Sequence, residues 1–266
     1  MVVKKHLLYY AFDIDDNLLK MPTKLRLVNN KSGFTEVSTD WYALNREKIG
    51  KTPIKFGCDT IIGYAENIHD SFIYFSDAKK LAFKRDYIDA IKNKKFAPAW
   101  SDFIEAILNG SIFAIVTARG HSSNTIREMV EYVIFDYLNH NDREKIISNL
   151  KSYNTLFKKN QTQNLISDYL DKCLFVGVAH PDYYDENIPS EKQKYMVLKK
   201  FIKKIEEISK KIGIPAKLGF SDDDIKNIKS IESLFESNSK RKYSNIVEYV
   251  IKNTKSNNKI IIKSYD

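Results

Sequence analysis

The chain has 266 residues, 43% of them hydrophobic, with 15 Phe and 16 Tyr; 43 Lys and Arg against 34 Asp and Glu give a formal charge of +9. That is enough apolar material for one large domain, or for a core with a smaller companion. The positive balance favours anionic ligands and raises their encounter rate. No run of about 18 apolar residues is present, so no membrane span or membrane partner is expected. Cys58 and Cys173 lie far apart, in no metal-ligand spacing, and suit a reducing cytoplasm better than a disulfide framework. Lys4-Lys5 followed by a short apolar stretch runs directly into acids, which argues against a secretory signal.

The first predicted element is a buried strand at Leu7-Leu8-Tyr9-Tyr10-Ala11, an apolar run closed by the polar cluster Phe12-Asp13-Ile14-Asp15-Asp16-Asn17. The C-terminal end of such a strand is where ligands bind in open α/β sheets. Carboxylates crowded there repel one another and need a compensating charge, for which a divalent cation is suited. Residues 24–95 then show no regular period, with turn signals at Ser32-Gly33, Gly50-Lys51-Thr52-Pro53 and Gly57. A loop of that length inside a compact domain needs structure of its own. We read residues 25–94 as an inserted cap, with residues 1–24 and 95–266 forming the core. Arg26, Trp41, Arg46 and Arg85 could read a substrate from the insert or serve it structurally.

The rhythm resumes at residue 100. Trp100, Phe103, Ile104, Ile107 and Leu108 recur at helical spacing, and Asn109-Gly110 supplies a stop. A second strand, Ser111-Ile112-Phe113-Ala114-Ile115-Val116, ends in Thr117-Ala118-Arg119-Gly120. Ser122-Ser123-Asn124 can cap a helix over residues 125–138. A third strand over residues 173–179 leads through His180-Pro181-Asp182 to Ser190, which can cap a helix over residues 191–212 whose apolar positions include Met196, Val197, Phe201, Ile202, Ile205 and Ile208. A fourth strand, residues 216–220, ends in Ser221-Asp222-Asp223-Asp224. Helices are expected over residues 225–235 and 243–252, and an edge strand over residues 258–263. Alternating helices and strands predict an α/β fold: a Rossmann-like, mainly parallel five-stranded sheet flanked by helices, with the inserted cap after the first strand. The basic runs at residues 92–95, 199–200, 203–204 and 210–211 are scattered, and lysines of this kind fit solvated helix faces as well as a nucleic-acid surface. The histidines show no ligand spacing, and Tyr183-Tyr184 reads as packing.

Four element ends therefore carry chemistry: Asp13/Asp15, Thr117, a lysine-bearing helix, and Asp222/Asp223/Asp224. In this order they resemble the haloacid dehalogenase (HAD) superfamily, most of whose members are magnesium-dependent phosphatases. Its first motif, Asp-x-Asp-x-Thr or a close variant, is matched by Asp13-Ile14-Asp15-Asp16-Asn17; its second by Ala114-Ile115-Val116-Thr117; its third by a lysine opening a helix; its fourth by an acidic pair after a strand. The resemblance covers residues 2–225 outside the insert. It implies Asp13 as the nucleophile forming an aspartyl-phosphate and Asp15 as proton donor and acceptor, with its pKa raised by neighbouring acids. Mg²⁺ would be held by the Asp13 carboxylate, the Asp15 backbone carbonyl and an acid of the fourth motif. Thr117, with Ala118 and Arg119 beside it, would bind the phosphoryl oxygens while a lysine neutralises them. Lys192 and Lys194 both compete for that place; the family's lysine commonly has a leucine four residues later, which Leu198 gives to Lys194. Asn17 departs from the usual Thr, though its amide can hold the turn. Gly219-Phe220 departs from the Gly-Asp form of the fourth motif, so Asp222 becomes the expected metal ligand, with Asp223 behind it and Asp224 capping the next helix. The expected substrate is a small phosphorylated compound, with a nucleotide or nucleic-acid end favoured by the positive charge. A phosphate- or nucleic-acid-binding protein without turnover is the alternative.

Overall fold

Leu7, Tyr9 and Ala11 are buried along a strand that becomes the middle of a six-stranded sheet. The computed structural model describes residues 6–152, 162–185, 187–241 and 244–264. The chain divides into two compact units, residues 1–20 with 95–266, and residues 21–94. Around the insertion the two ends of the first unit are joined by a hydrogen bond from Lys20 N to Lys95 O, 2.9 Å.

Strand β1 (Leu7–Phe12) opens the first unit. The second unit follows, and the sequence concealed its regularity. Strands β2 (Lys24–Asn29), β3 (Phe34–Ser38), β4 (Ile54–Phe56) and β5 (Asp59–Gly63) form an antiparallel sheet in the order β3-β2-β5-β4, with helix α1 (Thr39–Asn45) after β3. Helices α2 (Ile68–Ser71) and α3 (Lys80–Lys92) complete it. Strands of three to six residues are too short for a visible period; the readable signals are the turns, with Ser32 and Gly57 both left-handed (φ 59° and 58°) at the hairpin corners. Leu25, Leu27, Val37, Ile49 and Ile61 form its core. Two insert residues singled out in the sequence belong to this packing: Trp41 sets its ring edge-on to Phe56, and the Arg26 guanidinium lies 4.2 Å from the centre of the Phe34 ring. Arg85 pairs with Asp86 at 3.1 Å.

The first unit resumes with α4 (Trp100–Leu108), β6 (Phe113–Thr117) and α5 (Ser123–Tyr132), followed by α6 (His140–Ser152), α7 (Thr162–Leu170) and β7 (Leu174–Gly177). It ends with α8 (Ser190–Ile212), β8 (Ala216–Asp222), α9 (Ile225–Ser239), β9 (Ile246–Asn253) and β10 (Asn258–Lys263). The sheet order is β10-β9-β8-β1-β6-β7; all neighbours pair in parallel except the antiparallel β9–β10 edge. Every residue of β6 is buried, as expected of a strand covered on both faces. A chain of edge-to-face rings, Phe12–Phe103–Phe113–Phe175, ties β1, α4, β6 and β7 together; each such pair adds about 0.5–1.5 kcal/mol beyond its buried area.

The expected α/β architecture with a mostly parallel sheet is present, consistent with a Rossmann-like arrangement, but several elements differ. The sheet has six strands, not five, because residues 246–253 form β9 where a helix was expected. Ile246, Val247, Val250 and Ile251 are β-branched and favour a pleated surface, and Tyr249, Ile251 and Asn253 alternate inward. The helix after β6 keeps α geometry only to Tyr132, then widens into a π turn over Val133–Tyr137. Ser190 is the first residue of α8 rather than its cap. Met196 is 48% exposed, outside the apolar stripe. No helix among the described residues is long and apolar enough to cross a membrane.

Candidate active site

Parallel pairing sets the C-terminal ends of β8, β1 and β6 side by side: Phe12 lies opposite Ile115 on one neighbour and Ser221 on the other. Asp13 is the next residue, its N–H bonded to Ser221 O at 3.2 Å. Asp16 is left-handed (φ 53°), and Leu18 and Leu19 N–H groups both return to Ile14 O, closing one tight turn after the strand. Asn17 holds that turn. Its amide donates to Asp13 O and Ser221 Oγ, each at 3.0 Å, and accepts from Thr254 Oγ1 at 3.2 Å.

Lys194 sits in the first turns of α8 and is 1% exposed. Its Nζ donates to Asp13 Oδ1 at 3.0 Å and to Asp222 Oδ2 at 2.8 Å. Lys192 is exposed, and Leu198, one turn beyond Lys194, is fully buried. Helical spacing therefore sends one of the two candidate lysines inward and the other into solvent. The acids near the amino terminus and those of the fourth strand end thus meet across a single ammonium group.

The acidic triplet divides its labour. Asp222 is the last residue of β8 and has no exposed surface. Its Oδ1 accepts from Asp224 N at 2.9 Å and Asn227 Nδ2 at 3.0 Å; its Oδ2 accepts from Lys194 and again from Asn227 Nδ2 at 3.0 Å. Asp224 caps α9 through Lys226 N at 2.8 Å. Asp223 is half-buried and is the acid of the pair whose carboxylate is not already surrounded by donors. Asp222, expected foremost, is held by Lys194 and Asn227, and Asp223 lies beside it in the same acidic cluster.

Asp13, Asp222 and Asp223 each bring a carboxylate oxygen within 4.8 Å of the others'. Three hard oxygen donors, two of them buried, suit Mg²⁺ or a similar divalent cation. The protonation behaviour agrees with that donor set. Burial pushes Asp13 well above the ordinary carboxylate range; Lys194 opposes this, and the neighbouring Asp222, Asp15 and Asp223 reinforce it. Asp223 is raised from 3.8 to about 7 by burial first and then by Asp222. For Lys194, burial alone would lower the pKa, but Asp13 and Asp222 more than offset it, so the ammonium stays charged.

A raised carboxylate destabilises the fold as it ionises. The contribution of Asp223 is nil below its unfolded value of 3.8, grows as pH rises, and is complete above its folded value of about 7. A bound cation removes that cost by favouring the ionised form. Mg²⁺ should therefore raise the melting temperature more at about pH 8 than at about pH 5, read by thermal denaturation with and without the ion. Equal shifts at the two pH values would contradict a carboxylate metal site.

Thr117 ends β6 and is fully buried; its Oγ1 accepts from Arg119 N at 3.4 Å. Ala118 is exposed on the turn between them. Arg119 is 1% exposed and clasps Asp15 with both arms of its guanidinium, Nε to Oδ2 at 2.8 Å and Nη2 to Oδ1 at 2.7 Å. Asp15 stands near Asp13, as expected of the acidic knot, and its carboxylate also faces a cation. His121 is fully buried, so the segment after Thr117 is no surface loop. It lies against the end of β7, where a Cβ at Gly177 would come within 2.5 Å of the carbonyl oxygens of both Arg119 and His121. Gly177→Ala should displace that segment, costing about 1–3 kcal/mol of stability in urea denaturation and loosening the Arg119–Asp15 pair; wild-type stability would contradict the contact. His180 is half-buried beside Asp182, and Tyr183 and Tyr184 are 40% and 42% exposed.

Asn227, Ser221 and Thr254 support the site without having been singled out in the sequence. Asn227 lies three residues past the Asp224 cap, where a helix side chain can turn back over the preceding strand end, so its signal was there to read. Thr254 carried none, because it follows a strand expected to be a helix. No protein-family model, curated protein or solved structure matches this chain.

Proposed function

We propose that the chain is a divalent-metal-dependent phosphomonoesterase that works through an aspartyl-phosphate, as its resemblance to the HAD superfamily implies. The observation that carries the reading is the buried lysine bridging Asp13 and Asp222, with the Asp223 carboxylate alongside, at the ligand-binding edge of a parallel sheet. A structural ion pair has no need of a third acid at that edge.

In this reading Asp13 attacks through Oδ2, the oxygen that Lys194 does not hold. The Asp13 O–P bond forms as the P–O bond to the leaving group breaks, and Asp15 gives that oxygen its proton. Water then attacks the phosphorus of the aspartyl-phosphate, Asp15 takes back a proton, and inorganic phosphate leaves with Asp13 restored. Lys194 keeps Asp13 aligned and offsets phosphoryl charge, and Thr117 Oγ and the backbone of the Ala118 turn bind the phosphoryl oxygens. Arg119 orients Asp15 through both of its carboxylate oxygens. Mg²⁺, held by Asp13, the Asp15 backbone carbonyl and the Asp222-Asp223 acids, would supply charge neutralisation at the phosphoryl oxygens. The substrate would be a nucleotide, a nucleic-acid end or another small phosphate ester.

The test is phosphate release from a generic aryl phosphate with and without Mg²⁺, followed by a panel of nucleotides, phosphorylated oligonucleotides and sugar phosphates. The reading predicts release that depends on the ion and is lost on chelation. A folded protein that binds these compounds without releasing phosphate would support the non-catalytic alternative.

A further inference from the structure

Helix α8 runs 23 residues from Ser190 to Ile212 and carries Lys194 near its start, at the active-site edge. The scattered lysines of its sequence are gathered by the helical winding. Lys192, Lys199, Lys203 and Lys210 are separated by steps of 7, 4 and 7 residues, which at about 100° per residue returns each to the same face within about 20°. All four are exposed, and none forms an ion pair among the described residues. The stripe extends over about 27 Å at about 1.5 Å per residue.

The face is also a groove. Lys199, Lys203 and Lys210 line a cavity of about 660 Å³ between α8 and the end of α9, opposite Arg241, with Tyr195 also in its wall. Two acids share it: Arg241 engages Glu206 at 3.4 Å, which also accepts from Ser244 Oγ, while Glu207 is exposed. Cations still outnumber acids along the groove. We infer that this groove binds a single-stranded nucleic-acid backbone, with Tyr195 available to stack on a base. A positively charged channel with an aromatic contact is how single strands are held without reading sequence, over about 4–16 nucleotides. Tyr195, at one end of the groove, follows Lys194 in the sequence of the same helix. The inference rests on the phosphatase reading for what happens at a bound 5′ or 3′ phosphate, but not for binding itself.

The experiment measures binding of a fluorescent, phosphate-terminated single-stranded oligonucleotide to the full chain as a function of salt. The variant is Lys199→Gln/Lys203→Gln/Lys210→Gln, whose side chains lie outside the catalytic machinery. The proposal predicts at least about tenfold weaker binding and a log–log salt slope shallower by about 2, three contacts at about 0.7 each. Aryl phosphate turnover should be unchanged. Wild-type affinity in the variant, or absence of oligonucleotide binding at low salt, would overturn the groove and leave the phosphatase reading standing. Loss of binding in the variant with no aryl phosphatase activity in any form would do the reverse. Polyglutamate competing as well as the oligonucleotide would also overturn it, in favour of a general polyanion surface.

Discussion

Lys194→Met should cost the protein about 3–5 kcal/mol of stability and abolish phosphate release. The methionine fills most of the lysine's volume, so the loss is electrostatic rather than a cavity. It leaves Asp13 and Asp222, 6% and 0% exposed, without the ammonium that holds each of them within 3.0 Å. Removing one partner of a buried charge pair is far more costly than never having built it, because the surviving charge stays desolvated. The carboxylates can escape part of the penalty by taking up protons, so the deficit should be larger at about pH 8 than at about pH 5. Urea denaturation of the two proteins at both pH values measures it. A variant as stable as the wild type would mean that the site relaxes or admits water.

Asp13→Asn separates chemistry from folding. The amide keeps an oxygen that can accept from Lys194 Nζ, and it removes a carboxyl whose ionisation burial opposes. Stability of the metal-free protein at about pH 8 should therefore equal or exceed that of the wild type. Turnover should fall by at least about 10⁴-fold, the scale seen when a nucleophile is removed and only binding remains. The contrast between the two variants is the informative part: one loses fold and function together, the other function alone. An Asp13→Asn variant with activity within tenfold of wild type would remove Asp13 from the proposed nucleophile's place.

Much of this arrangement was readable in the chain because strong local signals coincided with burial. Residues 113–116 are apolar throughout and fully buried, and residues 100–108 carry an unbroken helical stripe bounded by Asn109-Gly110. The leucine that the resembled family commonly carries four residues after its lysine, matched by Leu198, favoured Lys194, which is the buried one. Other features were hidden for physical reasons. The short strands of residues 24–63 have no length in which to show a period. Residues 246–253 carry Glu248 and Lys252 among β-branched residues, a mixture that suits either a helix face or a strand with one wet side. The hydrogen bonds that hold Asp222 come from Asn227 and from the N–H of Asp224, three-dimensional neighbours that no spacing of acids discloses. The same is true of the clasp between Asp15 and Arg119, 104 positions apart.

The central claim is that Asp13 carries the phosphoryl group between substrate and water. Turnover with Mg²⁺ should be stopped in acid, the protein reduced with borohydride, which converts an acyl phosphate on an aspartate to homoserine, and the peptides mapped by mass. The account predicts homoserine at position 13, only when substrate and metal are both present, and absent from Asp13→Asn. Phosphate released in the same reaction with no homoserine at position 13, or with the modification on another residue, would contradict it.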